Sequence, residues 1–212
     1  MSWLVVGLGN PGNEYSATRH NIGFQVADYL AGQVAGKFSK HKSKAEVLEG
    51  RFGVGVDAPK IIIAKPQTYM NDSGKSVVAL RNFYQLSNSQ IIVIHDELDI
   101  DFAKIRVKQG GGDNGHNGLK SLTQSLSGPD YFRVRVGIGR PVGHLDAADF
   151  VLQNFSNIEK KSLQDLIIKA GDAVESLMRN GLERTQQDFN EEIAQPTLNI
   201  FCIRYLQYFD LL

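Results

Sequence analysis

The run Ile91-Ile92-Val93-Ile94, followed at once by His95-Asp96-Glu97-Leu98-Asp99, decides how this chain folds. Four β-branched residues in a row lack the polar alternation of a strand with one wet face, so they predict a short strand buried on both sides. Upstream, Trp3-Leu-Val-Val-Gly-Leu8 reads as a second buried strand ending in a glycine turn. Between the two, residues Thr18 to Val34 carry Ile22, Val26, Tyr29 and Leu30 at helical spacing. A basic, loop-like stretch Lys37–Lys44 follows, and short strands fit Glu46–Leu48, Arg51–Val56 and Lys60–Ala64. Ser73 is placed to cap a helix bearing Val77, Leu80, Phe83 and Tyr84.

Downstream, Ile105–Val107 and Arg133–Ile138 alternate charged with β-branched residues, as half-buried strands do. Between them Leu119, Leu122 and Leu126 share one side of a helix that Gly128-Pro129 ends. Ser156-x-x-Glu159 is a capping-box pattern before an amphipathic helix with Leu163, Leu166, Ile167, Ala170, Val174 and Leu177, which Asn180-Gly181 should stop. Strands interleaved with helices predict a single-domain α/β fold: a mixed, largely parallel sheet with helices on both faces. In such sheets ligands collect at the carboxyl ends of the strands, where the polar residues of this chain accumulate.

Composition narrows the class. With 212 residues, 42% hydrophobic and 22% charged, the chain can bury a full core without metal or disulfide staples, and disorder and coiled coil are excluded. One cysteine, Cys202, rules out an intramolecular disulfide and a Cys-rich zinc site. No membrane-length apolar run or basic leader is present, so a soluble cytoplasmic protein is expected. The net charge is zero, yet residues 1–140 hold 17 Lys/Arg against 12 Asp/Glu while residues 141–212 hold 6 against 11. That split permits a basic face for a polyanion on a neutral protein.

Five stretches carry chemistry. Gly7-Leu-Gly-Asn-Pro-Gly12 matches the dinucleotide pattern G-x-G-x-x-G literally, but Asn-Pro-Gly favours a turn where that pattern needs a helix start; it equally reads as a tight turn displaying Asn10. Thr18-Arg-His-Asn21 places His20 in the first turn of a helix, where the helix dipole would lower its pKa and favour the neutral imidazole of a general base; a capping or surface histidine is the plainer alternative. His95–Asp99 sets acidic groups at a strand end, suited to orienting a histidine from elsewhere. Gly110-Gly-Gly-Asp-Asn-Gly-His-Asn-Gly-Leu119 is a flexible loop with His116 and Asn117 where the next helix begins. Lys65-Pro-Gln-Thr-Tyr-Met-Asn71-Asp-Ser73 leads to a helix and displays Tyr69 and Asn71. Three asparagines, a helix-start histidine and a strand-end aspartate suit ester or amide hydrolysis by an activated water. No GxSxG elbow, cysteine motif or HExxH supports a covalent or zinc mechanism.

Val6–Gly12, Tyr15 with Thr18–Asn21, Lys65-Pro with Thr68–Asn71, His95–Asp99, Gly115–Leu119 and Arg135–Gly139, in order from residue 3 to about 189, resemble bacterial peptidyl-tRNA hydrolases. The resemblance implies a monomeric α/β hydrolase that cleaves the ester between a peptide and the tRNA 3′ end with no cofactor, no metal and no obligate protein partner. It implies His20 as the base activating water, Asp96 as its orienter and Asn10 as the sensor of the blocked amino group. Tyr15, Tyr69, Asn71 and Asn117 would hold the peptidyl and terminal-nucleotide portions, and Lys108 and Arg135 would take tRNA phosphates. Residues 1–190 would form the catalytic domain, and residues 191–212 a C-terminal extension with an apolar run from Ile200 to Leu212. Two further departures stand out: Asp113-Asn114 interrupts a loop usually richer in glycine or histidine, and His144 is the nearest candidate where the family commonly has a lysine. A non-catalytic RNA-binding protein on the same fold, and a nicotinamide-binding oxidoreductase, are the competing classes.

Overall fold

The computed structural model describes residues 2–34, 36–53 and 58–190. In chain order the main elements are β1 (Ser2–Gly7), α1 (Ile22–Gln33), β2 (Ser39–His41), β3 (Ala45–Arg51), β4 (Lys60–Pro66), α2 (Ser73–Phe83), β5 (Ile91–Glu97), β6 (Ile105–Gln109), α3 (Asn117–Ser125), β7 (Phe132–Gly137), α4 (Ala147–Val151) and α5 (Lys160–Asn190). The strands form one sheet in the order β2-β3-β4-β1-β5-β7-β6. Its middle, β4-β1-β5-β7, is parallel, and β2, β3 and β6 add antiparallel edges. The expected mixed, largely parallel α/β sheet is what the chain forms. All seven residues of β5 are buried, which accounts for the unbroken Ile91–Ile94 run.

Alternate residues of the central strands feed two cores. Val5, Ile63, Ile92 and Ile94 pack with α1 and α5 on one face. Leu4, Val6, Ile62, Ile91 and Val93 pack with α2 and α3 on the other. Gly7 and Gly23 let α1 cross the end of β1 closely: a Cβ on Gly23 would stand 2.4 Å from the Leu8 amide nitrogen and 2.5 Å from the Ile94 carbonyl oxygen. This contact, made beside the carboxyl ends of β1 and β5, brings His20 to the end of β5. The glycines of Gly7–Gly12 therefore serve strand–helix packing and a turn. No α-helix begins inside that turn, since α1 starts only at Ile22. A pyrophosphate seat on a helix N-terminus, which the dinucleotide reading requires, is not built there.

Several local expectations change. The basic stretch 37–44 contains β2, an edge strand paired antiparallel to β3. Glu46–Leu48 and Arg51 belong to one strand, β3, and residues 54–57 lie outside the described residues. Ser73 is not a cap. It is the first residue of α2, and its hydroxyl is buried without a partner. The Ser156/Glu159 capping box forms as expected, with reciprocal bonds of 2.6 and 3.2 Å. Gly181, at φ 78° and ψ −178°, is not helical and ends the first segment of α5, as the Asn180-Gly181 stop predicts; a second helical segment then runs to Asn190. There, the Gln186 and Asn190 side chains bond both backbone groups of Val107, covering the edge of β6. The apolar Ile200–Leu212 run lies outside the described residues. Among the described residues no helix is long and apolar enough to cross a membrane.

Candidate active site

A cavity of about 900 Å³ opens at the carboxyl end of β5. Asn10, His20, Tyr69, Asn71, Asp96 and Asn117 all line it, from five separate parts of the sequence. Tyr69 is 62% exposed on the rim, while Asp96 lies buried at the base. Arg140, Leu98, Val151 and Leu152 complete a wall with mixed polar and apolar character.

His20 sits in a short 3₁₀ turn, Arg19–Asn21, just ahead of α1. Its neighbour Arg19 is buried and tied down: it pairs with Glu159 at 2.7 Å, donates to the Gln153 and Asn154 carbonyls, and stacks over Phe150 at 4.1 Å. Asn21 fixes the opposite side by exchanging hydrogen bonds with the Asn10 backbone, both 2.9 Å. The residues around the histidine are thus held from two directions.

The centre of the site is a carboxylate between two imidazoles. His20 Nδ1 lies 2.9 and 3.1 Å from the two Asp96 oxygens, and His116 Nε2 lies 3.0 Å from Oδ1. His116 Nδ1 accepts the backbone N–H groups of Gly118 and Leu119, capping α3, so its proton must sit on Nε2 and be donated to Asp96. Asp96 then takes a second proton donor, His20 Nδ1–H. This leaves His20 Nε2 as the nitrogen free to accept a proton, with no partner among the described residues. Burial pulls the His20 pKa down, but the charge and hydrogen bond of Asp96 outweigh it and leave the pKa raised. The helix-dipole expectation of a lowered value is corrected here: His20 precedes the α-helix, and the adjacent carboxylate dominates. Burial alone would raise the Asp96 pKa; the two histidines reverse this and hold it far below the usual carboxylate range. His95, fully buried behind them, donates to the Asp96 carbonyl at 2.7 Å, and burial keeps its ring neutral.

His20, Asp96 and His116 form the one trio of potential metal ligands among the described residues. Its hydrogen bonding is wrong for an ion. Two ring N–H groups point at one carboxylate, whereas a metal would require two lone pairs there. The trio is arranged to hold and move a proton.

Asn10 is oriented by its own acceptor: Oδ1 takes the Met70 backbone N–H at 2.8 Å, which leaves the Nδ2 amide group for whatever enters the cavity. Tyr15, Lys108 and Arg135 are not cavity-lining residues. Tyr15 closes a 3₁₀ turn, where its carbonyl accepts from Thr18. Arg135 on β7 pairs with Glu97 at 2.9 Å. Lys108, on neighbouring β6, has its pKa lowered by partial burial and by the positive charges of Arg135 and Arg133, so the three cations form one basic cluster beside the site. His144 is exposed and outside the cavity lining. His116 was given no role by sequence reasoning, and its only signal was its place at the start of a helix after a glycine loop. Glu97, Asn114 and Arg140 were also missed.

A polar cavity at the strand ends of an α/β sheet, with an aspartate-oriented histidine presenting one ring nitrogen as a proton acceptor, is an arrangement suited to a hydrolase. The family model for peptidyl-tRNA hydrolase matches residues 4–197, and the chain belongs to that family. It is 55% identical to a peptidyl-tRNA hydrolase of Streptomyces coelicolor over 190 residues, covering 89% of this chain and 94% of that protein. A peptidyl-tRNA hydrolase of an Arthrobacter species is 50% identical over 192 residues, covering 91% and 98%. Among solved structures, that of peptidyl-tRNA hydrolase from Acinetobacter baumannii matches with a TM-score of 0.80 and 35% identity over 87% of this chain and 92% of that one.

Proposed function

We propose that this protein hydrolyses the ester joining a peptide, or an N-blocked amino acid, to the 3′ end of tRNA. The observation that carries this reading is the buried His20–Asp96 pair, which leaves His20 Nε2 free at the cavity wall. Family membership supplies the substrate class. His20 Nε2 accepts a proton from water as the oxygen attacks the ester carbonyl, and Asp96 stabilises the imidazolium that forms. Collapse of the tetrahedral intermediate breaks the bond to the ribose 3′ oxygen, which takes the proton back. The free peptide carboxylate and intact tRNA leave.

The blocked amino group has a matching partner in Asn10. With Oδ1 occupied by Met70, Asn10 offers only N–H donors, which suit the carbonyl oxygen of an N-acyl group. A free α-ammonium also has only donors, so it is mismatched there. Asn71 and Asn117 carry further amides on the cavity wall for the peptidyl and terminal-nucleotide portions, with Tyr69 at the rim. Tyr15, in the turn that precedes His20 and outside the lining, would join them in holding substrate. Lys108 and Arg135 take backbone phosphates. The reaction uses no cofactor, and the enzyme works as a monomer in the cytoplasm. Incubation with N-blocked aminoacyl-tRNA should release free tRNA, with the unblocked aminoacyl-tRNA spared. Failure to release tRNA from the blocked substrate would refute the reading.

A further inference from the structure

Asn114 lies in the glycine loop that runs from Gly110 to the start of α3. Its backbone is left-handed, φ 49°, a conformation asparagine tolerates. Both hydrogens of its side-chain amide are spent on carboxylates: Nδ2 lies 2.7 Å from Glu97 Oε1 and 2.7 Å from Asp99 Oδ2. Each of those acids also holds an arginine. Glu97 Oε2 accepts from Arg135 Nε at 3.0 Å, and Asp99 Oδ1 accepts from Arg140 Nε at 2.6 Å. The result is a continuous polar chain, Arg135–Glu97–Asn114–Asp99–Arg140, that crosses from the basic cluster to the cavity wall.

The loop is anchored at its other side by Arg133. This guanidinium, 1% exposed, donates to the carbonyls of Gly111 and Gly112 at 2.8 and 2.7 Å. Gly110, Gly111 and Gly115 all have positive φ. The loop backbone is tied at its ends, Gly110 N–H donating to the Tyr131 carbonyl at 3.0 Å and His116 N–H to the Asp113 carbonyl at 2.8 Å, and Thr123 donates to the Asp113 carboxylate at 2.9 Å. Only Gly115 separates Asn114 from His116, and Asn117 follows. The position of Asn114 therefore bears on His116, which must meet Asp96, and on the start of α3.

We infer that Asn114 is a positioning residue whose hold on the glycine loop tightens when a tRNA phosphate draws Arg135 away from Glu97. This rests on the proposed phosphate role of Arg135. Glu97 is 5% exposed, so a carboxylate stripped of its guanidinium there must lean on its remaining donors. Those are Asn114 Nδ2 and, more distantly, the Asp99 amide at 3.3 Å. Phosphate capture thus pulls the loop onto the end of β5 and firms the contact of His116 with Asp96. Linkage makes the effect reciprocal: a loop already held favours phosphate at Arg135.

The test compares two substrates, an N-blocked aminoacyl-tRNA and the same N-blocked amino acid esterified to adenosine alone, which carries no phosphate for Arg135. The wild-type protein should show a higher kcat on the tRNA substrate. Asn114→Gly, which keeps the left-handed backbone, should shrink that kcat advantage roughly three- to thirtyfold, the size expected when one member of a coupled network is removed. Asn114→Ala should do the same, which separates the lost amide from added glycine flexibility. An unchanged ratio of the two kcat values, whether both hold or both fall together, would overturn the inference. Two outcomes bear on the underlying reading instead: a wild-type protein that hydrolyses neither substrate, or an Arg135→Ala variant whose KM for the tRNA substrate is unaltered.

Discussion

Replacing Asp96 with asparagine tests the proton arrangement atom by atom. Asp96 now accepts from His116 at 3.0 Å and from His20 at 2.9 and 3.1 Å. His116 cannot yield, because its Nδ1 is committed to two backbone N–H groups of α3 and its proton must stay on Nε2. An asparagine that turns its single oxygen toward His116 places it at Oδ1, the position both histidines reach, so that oxygen can still accept from His20 Nδ1. Its amide group then takes the Oδ2 position and aims N–H groups at the second contact of His20 Nδ1, which disfavours the Nδ1–H tautomer, and the charge that stabilises imidazolium is gone. Together these changes should cost about 10³–10⁴-fold in kcat. The pH dependence moves as well. The wild-type His20 pKa is raised, so the acid limb of the kcat/KM profile should lie above the ordinary histidine value of 6.5. Without the carboxylate, burial alone acts and the limb should shift to lower pH. The assay is tRNA release from N-blocked aminoacyl-tRNA across pH 5–9, with thermal unfolding as a control for folding. A variant with near-normal kcat and an unmoved limb would refute the pairing.

Lys108→Ala and Arg135→Ala should each weaken substrate binding and shallow its logarithmic salt slope by about 0.7–0.9, measured by titration at several salt concentrations. Unchanged slopes in both would place the phosphate face elsewhere, with Lys37–Lys44 next in line. Gly23→Ala drives a methyl into the Leu8 and Ile94 backbone, so it should destabilise the fold by about 1–3 kcal/mol or more and lower activity in proportion to misplacement of His20. Denaturant unfolding and kcat read the two effects, and normal values for both would contradict the close α1–β1 contact. A chain ending at Asn190 keeps the Gln186 and Asn190 bonds to β6 and every cavity residue, so it should retain activity. Loss of turnover at unchanged stability would give residues 191–212 a part in catalysis.

The sheet was legible because β1 and β5 are buried on both faces, and sequence patterning reports burial directly. The same logic fails at edges. β2 is Ser-Lys-His, three polar residues whose pairing with β3 leaves no hydrophobic trace. Gly181 ends the first helical segment of α5 as its local chemistry dictates, but the second segment past it left no signal, because it is anchored by Thr185, which bonds Ser176 across the kink, and by the Gln186 and Asn190 contacts with β6. Within the site, spacing alone marked His20 as a helix-start histidine and Asp96 as a strand-end acid, and the resemblance to peptidyl-tRNA hydrolases gave them their roles. His116 was given none, because its role depends on a capping bond that fixes its tautomer and on the approach of residues 96 and 116, neither of which spacing reveals. The shift of His20 was read with the wrong sign for a related reason. Helix position is local, whereas the carboxylate that outweighs it comes from 76 residues away.

The most direct test of the account is single-turnover hydrolysis of N-blocked aminoacyl-tRNA by the wild type and His20→Ala, at saturating enzyme, with substrate binding measured alongside. If His20 Nε2 takes the proton from water, the variant should bind as tightly while its hydrolysis falls by about 10²–10⁴-fold. Hydrolysis at a near-wild-type rate would contradict the account, since the carboxylate, the second imidazole and the cavity are all arranged around that one nitrogen.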